Sequence, residues 1–242
     1  MQGNARNTSE TRPRAGSRSS RYLLRVLLPC SFLVLSFSAT AGFADEFSQT
    51  KKYSLRMFSY GTLTVDTRVG DIHVQGWDEP RLEIEAEKVV QAKSEAAARP
   101  LYDRLKIELE GNDKEVSLRT LYPPRRLWRP FRGESRLSVN YQIHMPYDAN
   151  LTLKCVDGDV RVTGVIGQQQ IRVNYGDVEI NLVDLYYLRS LDARTLLGYV
   201  QSDLHGEDDA GYARRLSFWN AGGGQDIYIR VRMGGVYVYR PE

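Results

Sequence analysis

The stretch VGDIHVQGW, Val69 to Trp77, returns as DGDVRVTGV at Asp157 to Val165. Aligned on Gly70 and Gly158, the copies agree in kind at Leu63/Leu151, Val65/Leu153, Asp71/Asp159, Ile72/Val160, Val74/Val162 and Gly76/Gly164. Partial copies follow at YGDVEINL (Gly176, Asp177, Val178, Ile180), LGYVQSDL (Gly198, Val200) and GGVYVY (Gly235, Val236, Val238), with a looser one at GGQDIYIRV. The glycines from Gly158 to Gly198 lie 18 and 22 residues apart, the length of one supersecondary unit that cannot bury its apolar side alone. Each copy reads as a strand, a glycine corner and a second strand with aliphatic residues at alternate positions.

Stacking such units about 4.8 Å apart joins their inner side chains into one column. In this register Val160, Val162, Val178, Ile180, Val200, Val236 and Val238 point inward, and Arg161, Glu179, Gln201 and Tyr237 point outward. Arg161 and Glu179 become lateral neighbours of opposite charge, contributing about 0.2–1 kcal/mol. Cys155 shares the inward parity of Leu151 and Leu153 and reads as a buried, inert thiol. Alternation in GTLTVDT, RLEIEAEKVV, LKIELEG, EVSLRTLY and SRLSVNYQIHM extends the strand pattern. The expected fold class is all-β: a parallel β-solenoid, a β-helix-like stack of short strands, with one short inserted α-helix. That helix is expected near 93–106, where Ser94 can cap, Glu95 suits the N-terminal dipole and Ala96 to Ala98 favour helix, with Pro100 limiting or kinking it.

Charge is unevenly placed. Six of the 33 Lys and Arg, but only one of the 30 Asp and Glu, precede Asp45, so the rest carries 27 bases against 29 acids. The formal +3 of the whole chain therefore gives no reason to expect nucleic acid as a partner. Residues 1–44 read as a polar region and a secretory signal peptide: Arg21 and Arg25 lead into an uncharged apolar run that ends in small residues, with Gly42 and Ala44 at the best cleavage site. The alternative is an uncleaved anchor, since about 20 apolar residues can just span a bilayer. After cleavage no stable membrane span is expected. Residues 45–52 read as a linker and 53–242 as a single domain, located in the periplasm, cell envelope or medium. Cys155 is then the lone cysteine, so packing rather than a disulfide supplies stability.

The most distinctive surface segment is PPRRLWRPFRGESR, Pro123 to Arg136, expected as a basic hairpin loop. Arg125, Arg126, Arg129 and Arg132 are interleaved with Trp128 and Phe131, a pattern suited to an anionic polymer through guanidinium pairing and ring stacking. These six residues form a candidate partner-binding loop, against the plainer reading in which Trp128 and Phe131 fold back onto the sheet.

The GDI.V.GW phrase, the DEPRLEIEAEK run, the short helical insertion, the Tyr141-to-Pro146 entry, ANLTLKCVDGDVRVTGV and the degenerating glycine units together resemble the bacterial DUF4097 family, named as an adhesin domain. The resemblance runs from about Tyr53 to the C-terminus. It implies an exported or envelope-associated β-helical domain without established catalytic residues. The stretches LYYLRSLDARTLLGYV and GEDDAGYARRLSFWNAGGGQ depart from the family spacing.

His73, His144 and His205 form no close ligand pair, and Asp71, Asp159 and Asp177 read as turn residues accepting backbone N–H groups rather than calcium ligands. There is no G-x-S-x-G elbow, P-loop or dinucleotide fingerprint. No catalytic residue, cofactor or metal is expected. The expected function is a noncatalytic, adhesin-like binding or scaffolding module whose partner is envelope polysaccharide or protein; the sequence does not define its oligomeric state. The alternative is a carbohydrate-active enzyme, a polysaccharide lyase or hydrolase, which needs paired carboxylates in one groove.

Overall fold

The computed structural model describes residues 45–123, 137–204, 208–212 and 214–240. In chain order the described elements are β1 (Asp45–Arg56), β2 (Thr62–Val69), β3 (Ile72–Trp77), β4 (Arg81–Ala92), α1 (Glu95–Arg104), β5 (Lys106–Gly111), β6 (Glu115–Leu121), β7 (Leu137–Pro146), β8 (Asn150–Asp157), β9 (Val160–Thr163), β10 (Gln169–Tyr175), β11 (Val178–Asn181), β12 (Leu188–Ser202), β13 (Asp208–Tyr212), β14 (Arg215–Trp219), β15 (Gln225–Met233) and β16 (Val236–Tyr239). Among the described residues the fold is all-β with one helix, and the strands belong to a single sheet.

Two parallel ladders organise the sheet. One runs β6–β2–β8–β10–β15–β12 and the other β7–β3–β9–β11–β16–β12. The strand before each corner glycine lies in the first ladder and the strand after it in the second. Alternation decides which side chains are enclosed. In the first ladder Leu118, Val65, Leu153, Ile171, Ile229 and Ala193 stand in register and are buried; in the second, Tyr141, Ile72, Val160, Val178, Val236 and Val200 do the same. Enclosing each Val, Leu or Ile contributes about 1.5–3 kcal/mol. The expected inward and outward parities of the repeats hold, and Arg161 pairs with Glu179 at 2.9 Å.

Stacking order departs from chain order. The unit after Gly176 in space is β15/β16, not the unit containing Gly198; β12 lies beyond it, and β13 and β14 pair antiparallel with β12 on its other side. The corner glycine of the last copy is Gly234 (φ +140), and Gly235 stands where the earlier copies have Asp. The stack is also not wholly parallel: β1 and β4 are antiparallel additions beside β7, and β5 is antiparallel to β6.

Residues 45–52, expected as a linker, are the first part of β1 and pair with Glu85 to Ala92. Their mostly exposed DEFSQTKK sequence lacks an apolar alternation because backbone hydrogen bonds, rather than burial, hold this edge. Helix α1 begins where Ser94 accepts the Ala97 N–H at 3.3 Å, and it contains Pro100. Ala98 packs with Val90 and Ala92. Lys88, inward on β4, donates to the carbonyls of Tyr102 (3.1 Å) and Leu105 (2.5 Å), placing a cation at the negative end of the helix dipole. Burial lowers its pKa, assisted by Lys51.

Candidate binding surface

The corners use up the most conspicuous carboxylates. Gly158 (φ +149) and Gly176 (φ +129) occupy backbone conformations that side chains rarely adopt, and a Cβ on either would collide with the carbonyl of the glycine one unit away. This close approach brings each following Asp against the next unit's backbone. The Asp71 carboxylate accepts the Asp159 N–H at 3.0 Å, Asp159 accepts the Asp177 N–H at 2.8 Å, and Asp177 accepts the Gly235 N–H at 2.6 Å. The column is one of structural turn acceptors, as the Gly-Asp pattern suggests.

Cys155 lies against this corner, 3% exposed, its sulfur 3.8 Å from the Gly70 carbonyl. Burial pushes its thiol up to about 12. Such a thiol is a poor nucleophile at neutral pH.

Beyond the corners, the outward side of the first ladder carries cations in register. Lys154, Arg172, Arg230 and Arg194 are successive partners across β8, β10, β15 and β12, and Arg215 of β14 continues the row. Asp192, one step aside, gathers the far end: Arg194, Arg215 and Arg230 approach it at 2.9, 3.1 and 3.3 Å. Burial would raise the Asp192 carboxyl, but the three guanidinium groups outweigh it and hold it below the usual carboxylate range. Arg230 also lies 3.7 Å above the Tyr228 ring. Arg172 and Lys154 are exposed.

A second feature runs along the corner itself. The residues just before the glycines, Tyr175, Met233 and Leu197, are register partners, exposed by 45%, 43% and 37%. Leu196, beside them, is 54% exposed. Past the corner, Tyr199, Tyr237 and Tyr239 make ring contacts at 5.3 and 6.3 Å.

Two open grooves flank the ladders. The larger, about 660 Å³, is lined by residues including Thr163, Asn181, Asp203 and Tyr239; the smaller, about 370 Å³, by residues including Asn150, Gln168, Asp226 and Tyr228. Each has one carboxylate, and it is engaged. Asp203 accepts the Arg240 N–H at 2.9 Å, and Asp226 is paired with Arg189 and accepts from the Ser190 hydroxyl at 2.6 Å. Among the described residues no group of three or more His, Cys, Asp or Glu side chains is placed to hold a metal ion. His73 is exposed, and His144 packs on Trp77 with ring centroids 5.3 Å apart.

The candidate loop residues Arg125, Arg126, Trp128, Arg129, Phe131 and Arg132 lie outside the described residues, as do residues 1–44, expected as a leader, and His205. The arginine row and the apolar corner are surfaces that sequence reasoning did not find, because both are assembled across units whose spatial order differs from chain order.

No family model and no curated protein matches the chain. Among solved structures, a candidate cell adhesion protein from Clostridium sporogenes is 12% identical, with 79% of this chain and 100% of that one covered, at a TM-score of 0.47. A candidate adhesin from Parabacteroides distasonis is 16% identical, with 57% and 58% covered, at 0.31. One from Bacteroides fragilis is 9% identical, with 78% and 97% covered, at 0.24. At these scores the likeness is too distant to assign a shared function.

Proposed function

We propose that this chain is an exported, envelope-associated, noncatalytic binding or scaffolding module. In this reading residues 1–44 are a leader and 53–242 a DUF4097-like β-solenoid, with β1 as an added edge strand. The two parallel ladders, joined at stacked glycines around a shared aliphatic interior, support a solenoid. No helix among the described residues is long and apolar enough to cross a membrane.

The observation that carries the reading is how the carboxylates of the corners, the arginine row and the two grooves are spent. Asp71, Asp159 and Asp177 hold backbone N–H groups of neighbouring units, and Asp192, Asp203 and Asp226 are engaged by arginine side chains or backbone. A glycosidase needs two carboxylates about 5–9.5 Å apart across a bound sugar. The outward rows instead offer a rigid array of guanidinium and aromatic groups to a partner in the envelope, polysaccharide or protein. Residues 124–136, outside the described residues, carry more of the same chemistry in their sequence.

The test is binding of the purified exported chain to isolated cell envelopes at low salt, with crosslinking to recover the partner. Retention that falls when Trp128 and Arg125, Arg126, Arg129 and Arg132 are replaced by Ala or Ser, or when Lys154 and Arg172 become Gln, supports the module. Turnover of envelope polysaccharide by the chain, or no retention, contradicts it.

A further inference from the structure

We infer that the exposed corner ridge and the arginine row beside it together dock the protein on an anionic lipid surface. The inference deepens the reading of the chain as an envelope-binding module and rests on it. Tyr175, Met233 and Leu197 stand side by side on β10, β15 and β12, and Leu196 adjoins them. Four large apolar side chains, each at least 37% exposed, thus share one edge of three adjacent units, a ridge about 10 Å long at ~4.8 Å per strand. The ridge ends at β8, where the register position is Asp157. Alternation puts Leu196 and Arg232 on the outward side with Arg194, Arg230 and Arg172 two residues back, whereas Tyr175, Met233 and Leu197 are of the other parity and stand exposed at the corner, where the enclosed column ends. Together with Arg215 these arginines have one carboxylate, Asp192, among their described ion-pair partners.

The combination selects among partners. A sugar chain is met by flat aromatic faces, but Leu196, Leu197 and Met233 have none. Aliphatic side chains at this edge can enter the headgroup and acyl boundary while Tyr175 sits at headgroup depth and the arginines pair with phosphate. Tyr175, Met233, Leu196 and Leu197 all lie on strands, so the ridge can meet a surface without ordering a loop. Net attraction scales with the number of arginines near the surface, and each is worth about fivefold in affinity at low salt.

The experiment is co-sedimentation of the exported chain with phosphatidylcholine vesicles and with mixed phosphatidylglycerol/phosphatidylcholine vesicles at low salt. It uses wild type, an Arg172→Gln/Arg232→Gln variant and a Leu196→Ser/Met233→Ser variant. All four positions are exposed, and an unchanged urea midpoint verifies that each variant is folded. Wild type is expected to prefer the anionic vesicles. The arginine pair should cost about 30-fold and the aliphatic pair about tenfold, with the preference fading at high salt. Equal binding to both vesicle types, or Ser variants that bind like wild type, overturns the inference. So does capture of soluble polyphosphate as tightly as vesicles, which would make the row a polyanion site. Retention on lipid-stripped sacculi without vesicle binding sinks this inference while leaving the envelope module standing; loss of both sinks both.

Discussion

Replacing Gly176 by Ala should damage the fold far more than one methyl group ordinarily does. Gly176 has φ +129, and a Cβ there would lie 2.7 Å from the Gly158 carbonyl carbon, closer still to its oxygen, and 3.1 Å from an Asp159 carboxylate oxygen. The backbone strain costs about 1–3 kcal/mol. No rotamer relieves the collision because the obstacle is backbone, so the two units must part. That motion lengthens Gly158 N–H to Tyr175 O (2.9 Å), Val160 N–H to Asp177 O (2.9 Å) and Asp177 N–H to Asp159 Oδ1 (2.8 Å). Each bond is worth about 0.5–1.5 kcal/mol net. With partial loss of the three, the expected destabilisation is about 3–5 kcal/mol. The assay is equilibrium urea unfolding followed by far-ultraviolet circular dichroism, with the slope checked for constancy. Gly224→Ala is the control, since nothing lies within 4 Å of its added Cβ and its φ is not positive. If Gly176→Ala falls within about 1 kcal/mol of that control, the stacked-corner reasoning is wrong.

Other perturbations probe separate parts of the account. Asp159→Ala should cost about 0.5–1.5 kcal/mol while Asp159→Asn, which keeps an acceptor for the Asp177 N–H, should cost less, both read from urea midpoints. Cys155 should resist a thiol reagent at pH 8 in the folded protein and react at once in denaturant, because it is 3% exposed and its pKa is raised to about 12. The folded-state carboxyl of Asp192 is held below its unfolded value, so its contribution is present above an unfolded pKa of about 3.9 and is lost as pH falls through the folded value. Asp192→Asn should therefore lessen the loss of stability between neutral pH and the acid limit, measured as urea midpoints across that range. Lys88→Met should destabilise by about 1–3 kcal/mol, since it removes the charged donor to the Leu105 carbonyl and leaves the Tyr102 carbonyl with the Leu105 N–H at 3.2 Å.

Much of the interior was legible because two local rules reinforce each other. A period of two assigns each residue to a side, and a glycine that must sit at a corner sets the phase, so Ile72, Val160 and Val178 could be placed inward and Arg161 opposite Glu179 before any coordinates. Neither rule says which unit neighbours which. Val236 and Val238 fit against Val178 and Ile180 as well as Val200 and Ser202 would, and only the excursion through β13 and β14 leaves the slot that β15 and β16 fill. The arginine row inherits that uncertainty: Arg172 meets Arg230 rather than Arg194 only because β15 intervenes. Lys88 escaped notice for a different reason, since a lysine at an inward position makes sense only once α1 has laid its last carbonyls over it. β1 escaped because an edge held by backbone pairing needs no apolar alternation.

The stacking order is the claim on which both proposed surfaces depend, and paired cysteines test it directly. In a Cys30→Ala/Cys155→Ala background, Glu179→Cys with Tyr237→Cys places two thiols on register partners of adjacent strands, within the Cα separation of about 4.4–6.8 Å that a disulfide accepts. Glu179→Cys with Gln201→Cys places them two strands apart, about 10 Å, which is too far. Mild oxidation is predicted to close the 179–237 bridge rapidly and to leave the 179–201 pair as free thiols. Closure of 179–201 in the folded protein, with 179–237 remaining open, would mean that the units stack in chain order and would contradict the account.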